Sequence, residues 1–208
     1  MVEPRMVLGK PYTRGLRVSR LNHTFSCFSI NTKKGLTALG NTVRSLGLNQ
    51  TTPPTGPAGT TSHIVFNQDD TQLIASVKGT PPTPGFFAIW DIAADGSLSQ
   101  NFKAVAPDQG GLLPFSMTVI DGQNALLATD AGVGFDIMDL DDFSSTNRSS
   151  VVPIEGQGAT CWSSHSQETG NFYLTDIKTG IVTEVNVDQN LKGTIVKVRI
   201  ANTSSENP

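Results

Sequence analysis

The chain is short of nearly everything that would announce a chemistry. Only two of its 208 residues are cysteine. Cys27 and Cys161 therefore make no disulfide scaffold and read as small buried hydrophobes in separate structural units. No stretch approaches the roughly 18 consecutive apolar residues that a membrane span needs. The N-terminal MVEPRMVLGKPYTRGLRVSRL lacks the apolar run of a secretory signal. Its Arg5, Lys10, Arg14, Arg17 and Arg20 come without an acid, as in a transit peptide, but Gly9, Pro11 and Gly15 would interrupt the required amphipathic helix. A net charge of −3, spread along the chain, gives no footprint for nucleic acid or an anionic membrane. There is no GxSxG elbow, no HExxH, no Walker loop and no Cys/His metal spacing, so no hydrolase triad, metal or cofactor is expected.

Helical periodicity is also missing, and what replaces it is period two. Three segments repeat one pattern, an apolar run, a Gly-containing turn and an alternating run. They are LIASVKG then GFFAIWDI (73–92), ALLATDA then GVGFDIMDL (125–140), and NFYLTDI then TGIVTEVNV (171–187). The anchors Leu73, Ala125 and Asn171 lie 52 and 46 residues apart. Repetition on that scale marks an array of β-sheet units, and the propeller is its commonest form. Within GFFAIWDI, Phe86, Ala88 and Trp90 share one face and Phe87, Ile89 and Asp91 the other, as in half-buried antiparallel strands. Gly (20) and Pro (12) together make about 15% of the chain, in keeping with a turn-dense all-β protein.

Counted strand by strand, the expected fold is an all-β propeller with four-stranded antiparallel blades. The blades run at about 21–40, 61–105, 116–154 and 160–200 of a partial domain over 21–201. SCFSI (26–30) and GLTALG (35–40) read as the outer two strands of the first, so about three and a half blades are present. Residues 1–20 are expected to be unstructured or unrelated, and 202–208 a flexible tail. The Pro/Gly/Thr-rich connectors 41–62 and 106–115 lie between blades, where long loops cover one face of the disc.

The ordered phrases SCFSINTKKGLTALG (26–40), RSLGLNQTTPPTGPAGT (44–60), SHIVFNQDDTQLIASVKG (62–79), PFSMTVIDGQNALLATDA (114–131) and GQGATCWSSHSQETGNFYLTDIKTG (156–180) carry a resemblance. From about Leu21 to Ile200 the chain resembles the fungal 3-carboxymuconate cyclase-like branch of the seven-bladed lactonase propellers. The resemblance implies a seven-bladed disc of roughly twice this length, secreted or on the fungal cell surface. Members like the founding enzyme convert a carboxymuconate to a muconolactone; others resemble 6-phosphogluconolactonases. The chain is therefore expected to be an incomplete member, without a recognisable signal peptide. Its expected role is that of a secreted or surface glycoprotein-type propeller with no demonstrable catalysis in this truncated form. The alternative is a cycloisomerase or lactonase acting on a small carboxylate or lactone in the central channel.

Such chemistry needs cations to hold carboxylates and a group that moves a proton at carbon. His63 is the general acid/base candidate, because its ordinary pKa lies near neutrality. Arg44, on the long loop, is expected to reach inward as a carboxylate clamp. Ser116 and Trp162 are expected beside the channel, at the start of innermost strands, whereas His23 and His165 sit beside turns. Asp130, Asp136, Asp139, Asp141 and Asp142 fit no calcium loop and read as a solvated edge or turn. Asn22, Asn49, Asn147 and Asn202 head N-x-S/T sequons in loops or strand ends, where glycans are accommodated. The unclosed blade edge offers a route to oligomerisation.

Overall fold

The computed structural model describes residues 13–19, 24–51, 55–144 and 148–200. Among the described residues sixteen strands build four antiparallel sheets, of which the last three are chain-order meanders. Sheet I holds β1 (Thr13–Ser19), β2 (Thr24–Asn31), β3 (Gly35–Ala38) and β4 (Arg44–Ser45). Here β3 and β4 share one edge of β2, while β1 pairs along the other. Sheet II holds β5 (Thr61–Phe66), β6 (Gln72–Val77), β7 (Phe86–Asp91) and β8 (Lys103–Val105). Sheet III holds β9 (Pro114–Val119), β10 (Ala125–Asp130), β11 (Gly134–Asp139) and β12 (Ser150–Pro153). Sheet IV holds β13 (Thr160–His165), β14 (Phe172–Asp176), β15 (Ile181–Val187) and β16 (Gly193–Ile200). This is a partial β-propeller, with β5, β9 and β13 as innermost strands.

Two expectations change. Thr13–Ser19, within the 1–20 segment expected to be unstructured or unrelated, is a strand paired over its full length with β2, so the first sheet is three strands wide rather than two. The central strands, expected to be half-buried, are buried on both faces. Phe25, Cys27 and Leu46 of sheet I pack on Leu73, Ala75, Val77, Ala88 and Trp90 of sheet II. The other face of sheet II sets Ile74, Phe87 and Ile89 against Met117, Leu126, Ala128 and Met138 of sheet III. Sheet III in turn offers Leu127, Phe135 and Ile137 to Phe172, Leu174 and Val185 of sheet IV. A sheet sandwiched between two neighbours has no wet face, so its alternation sorts side chains between two cores. Trp90, fully buried, meets Phe25 edge-on at 4.6 Å between ring centroids. Cys27 and Cys161 are both buried.

The carboxylates in sheet III follow the same logic and overturn their solvated reading. Asp130, Asp136 and Asp139 are 0%, 2% and 3% exposed, and only Asp141 and Asp142 face solvent. Asp139 is compensated by Arg148, whose Nε donates to it at 2.9 Å. Asp130 accepts backbone N–H bonds from Leu112, Leu113 and Gly132.

Candidate functional site

The innermost strands carry the same irregularity three times. Each has one extra residue opposite its partner: Ser62 between Thr61 and His63, Phe115–Ser116 opposite Thr129, and Cys161 between Thr160 and Trp162. A bulge of this kind turns a side chain out of its expected direction. The backbone marks the equivalent positions, since Lys78, Ala131 and Ile177 donate their N–H to Thr60, Leu113 and Ala159 respectively. Counting on from Thr60, Leu113 and Ala159, His63, Ser116 and Trp162 occupy one and the same place in three successive blades. The repeat is thus anchored on Leu73, Leu126 and Phe172, one residue later in the second and third units than the sequence suggested. Each of these three faces the preceding sheet.

A hydroxyl brace recurs at the same level. Ser76 Oγ donates to the Phe115 carbonyl at 2.5 Å, and Thr129 Oγ1 to the Cys161 carbonyl at 2.6 Å, each linking a second strand to the next blade's innermost strand. His63 and Ser116 play matching parts as well. His63 Nδ1 accepts the Met117 N–H at 3.0 Å, and Ser116 Oγ accepts the Ser163 N–H at 3.4 Å. An Nδ1 held as acceptor puts the ring proton on Nε2. Burial pushes the His63 imidazole below its ordinary pKa, so it is held neutral. In that tautomer His63 presents a hydrogen-bond donor at Nε2; serving as a base there would require surrendering the Met117 bond.

Trp162 is 46% exposed and joins the three strands. Its ring lies edge-on to His63 at 5.8 Å and to Phe115 at 5.4 Å. Ser116 is buried, and with Ser163 and Thr118 it forms a hydroxyl cluster, Ser163 Oγ lying 3.4 Å from Ser116 Oγ and 2.7 Å from Thr118 Oγ1. The structure therefore brings His63, Ser116 and Trp162 to one rim.

It does not bring Arg44 there. Arg44 is 5% exposed, and its Nε and Nη2 donate to the Ser99 and Leu98 carbonyls, with Nη1 on Val43. A guanidinium buried between sheets I and II must spend its donors on backbone acceptors, and it acts as a tie between those sheets. His165 packs on Phe172 and lies 3.9 Å from Asp121. Asn49 is exposed in the loop after β4. Asn22, His23, Asn147 and Asn202 lie outside the described residues.

The cation at the rim is one that the sequence reading missed. Lys78 is 6% exposed; its Nζ donates to Ser62 Oγ at 2.5 Å and sits 4.3 Å from the centroid of the Phe115 ring. Burial pulls its ammonium down to about 8. The equivalent residues in the next two blades are Ala131 and Ile177. The residue before it departs from the pattern too, because Val77 stands where Asp130 and Asp176 hold the preceding loop. Asp176 takes N–H bonds from Gly158, Ala159, Lys178 and Thr179. Aligning the three repeats in their hydrogen-bonded register exposes Lys78 as the odd residue, whereas the anchors read from sequence set it against Asp130 and Asp176.

No protein-family model and no curated protein matches the chain. Solved structures do. A candidate 6-phosphogluconolactonase of Bacteroides fragilis superposes with a TM-score of 0.58 at 15% identity, over 95% of this chain and 56% of its own. The periplasmic gluconolactonase of Pseudomonas aeruginosa gives 0.58 at 14%, over 93% and 70%. A Lactobacillus plantarum protein gives 0.59 at 13%, over 94% and 54%. The chain thus spans little more than half the length of the first and third. At these identities the likeness is one of fold: the chain has the β-propeller architecture found in structures described as lactonases.

Proposed function

We propose that the rim formed by β5, β9 and β13 binds a small anionic lactone or carboxylate, as part of a lactonase-type or muconate-cyclising propeller. The observation that carries this reading is Lys78, a buried ammonium set against an inner strand where sister blades carry aliphatic residues. An ammonium in a partly dry setting attracts a carboxylate or phosphate far more strongly than one in water. The Nε2–H of His63 is placed to donate to a carbonyl or enolate oxygen as charge develops on it. Trp162 supplies a flat apolar surface for a sugar or muconate carbon frame. Remaining blades would supply the other wall of the channel.

The test is hydrolysis of glucono-1,5-lactone and its 6-phosphate, together with loss of 3-carboxymuconate absorbance. Lys78→Met is expected to lower kcat/KM for an anionic substrate by about 100-fold, with a smaller effect on the uncharged lactone. Equal losses on both lactones would rule out Lys78 as the anion site.

Exposed Asn49 supports a second reading, a secreted or surface glycoprotein. Expression through a secretory pathway would then give a glycosidase-sensitive product, and Asn49→Gln would remove one glycan. Absence of any glycosidase shift would eliminate it. In either reading the outer strand β16, with exposed Val196, Val198 and Ile200, offers a surface for a further sheet or a second copy.

A further inference from the structure

A cavity of about 350 Å³ opens between sheets II and III, away from the inner-strand rim. It lies between β8 with the following loop and β11 with the loop that precedes β12, and Phe87, Met138 and Phe143 form apolar walls. Asp136 reaches it from β11. That side chain is 2% exposed, and neither carboxylate oxygen has a hydrogen-bond partner among the described residues. A buried carboxyl left unmatched is costly and rare, and calls for an explanation.

The surroundings set the sign of the missing partner. The charged groups near Asp136 are Asp130 on β10, Asp108 in the 106–113 loop, and Lys103 on β8. Asp130 and Asp108 add negative potential, and together with burial they raise the Asp136 pKa well above the usual carboxylate range. Lys103 turns its Nζ onto the Phe143 ring, 4.0 Å from the centroid, which shows that this wall accepts a cation. The loop also leaves room. A Cβ on Gly111 would come within 3.2 Å of Asp136 Oδ1 and 2.6 Å of Pro107 Cβ, so only glycine lets the loop pass over the carboxyl. A metal ion is disfavoured, because no three acidic, His or Cys side chains converge among the described residues. A hydroxyl would satisfy an oxygen but leave the negative potential unanswered. The apolar walls suit a carbon chain, and the volume lies at the small end of the range for ligand sites.

We propose that this cavity binds a small organic cation, a primary ammonium on a short apolar chain, with Asp136 as its counter-ion and the Phe143 ring beside the charge. Binding moves a proton as well as a ligand. The Asp136 carboxylic acid releases its proton to solvent, and the carboxylate then pairs with the ammonium. Affinity consequently rises with pH, by about tenfold per unit, until Asp136 ionises unaided.

n-Butylammonium is the probe, with 1-butanol as the neutral control of similar shape, titrated into the full chain while the side-chain carboxyl ¹³C resonances are followed. The expected result is saturable binding of butylammonium, at least about tenfold tighter than butanol, with the Asp136 carboxyl moving toward its ionised position. One proton is released per ligand bound at pH values below the free carboxyl's titration. Asp136→Asn loses the preference for the amine, and Lys103→Met tightens binding by freeing the Phe143 face. Equal affinity for amine and alcohol, no saturation, or an unmoved Asp136 resonance would overturn the proposal, and these wild-type readouts hold even if a variant fails to fold.

Discussion

Lys78 and Asp136 are ionisable side chains that the fold buries without full compensation, and their titrations carry opposite signatures. The Lys78 ammonium titrates at about 8 when folded against 10.5 in an unfolded chain, so the unfolded state binds more protons between those values. Stability therefore rises as pH climbs from about 8 to about 10.5, and at pH 7 the full cost of burial is present. Lys78→Met is expected to raise stability at pH 7 by roughly 1–3 kcal/mol, seen as a higher urea midpoint, while weakening anion binding. For Asp136 the folded value lies above the unfolded 3.8, so its stabilising state is complete below about 4 and is lost as pH rises. Asp136→Leu should thus gain on the wild type as pH increases from 4, by about 1–3 kcal/mol at the plateau, measured by thermal melts across pH. A constant difference from pH 3 to 8 would contradict burial of a titrating carboxyl. Asp176 runs the other way. Burial works against its charge, but N–H bonds from Ala159, Gly158, Thr179 and Lys178 prevail and hold it at about 2. Its contribution is present above 3.8 and disappears as pH falls through 2. Asp176→Asn is expected to cost about 2 kcal/mol at pH 7 and almost nothing at pH 2, read from the same melts. The Asp136 misreading has a physical source. Alternation places Asp136 and Asp139 on opposite faces but does not say whether either face is wet, and in sheet III both are dry.

At the level of elements, the strands were readable because a period of two survives whatever covers the faces. Their ends were less so. The SLSQNFKAV run yields only Lys103–Val105 as β8, with Leu98 making an isolated bridge to Ile92. The off-by-one anchor of the second unit arose because Ala125 and Leu126 are both apolar and both buried, leaving hydrophobicity without a preference between them. Hydrogen bonds decide the register instead. Ser76 and Thr129 each donate to a carbonyl of the next innermost strand while accepting from the N–H of their own, that of His63 or Ser116. Ser76→Ala and Thr129→Val are each expected to cost about 1–2 kcal/mol in urea unfolding, since each leaves buried backbone groups unmatched. A loss below a few tenths in both would show the brace to be incidental. Arg44 taught the opposite lesson, because its position on a long loop suggested reach, and only tertiary packing reveals that Leu98 and Ser99 consume its donors.

Across the whole molecule, protection should grade from the middle outward. Sheets II and III are covered on both faces, whereas sheet IV leaves Trp162, Val196, Val198 and Ile200 to solvent. Native-state hydrogen exchange is expected to show β6, β7, β10 and β11 as the slowest amides, with β15 and β16 opening at distinctly lower free energy. Uniform protection over all four sheets would indicate one cooperative unit. The recurrence of the brace has a further implication for how such a chain can change length. Because sheets II and III each offer a hydroxyl forward, and sheets III and IV each a carbonyl backward, these sheets act as modules with matching connectors. Excising 114–159 would set Ser76 directly beneath the Cys161 carbonyl that Thr129 now holds. Gain or loss of whole units thereby becomes the mutation that such a molecule tolerates best.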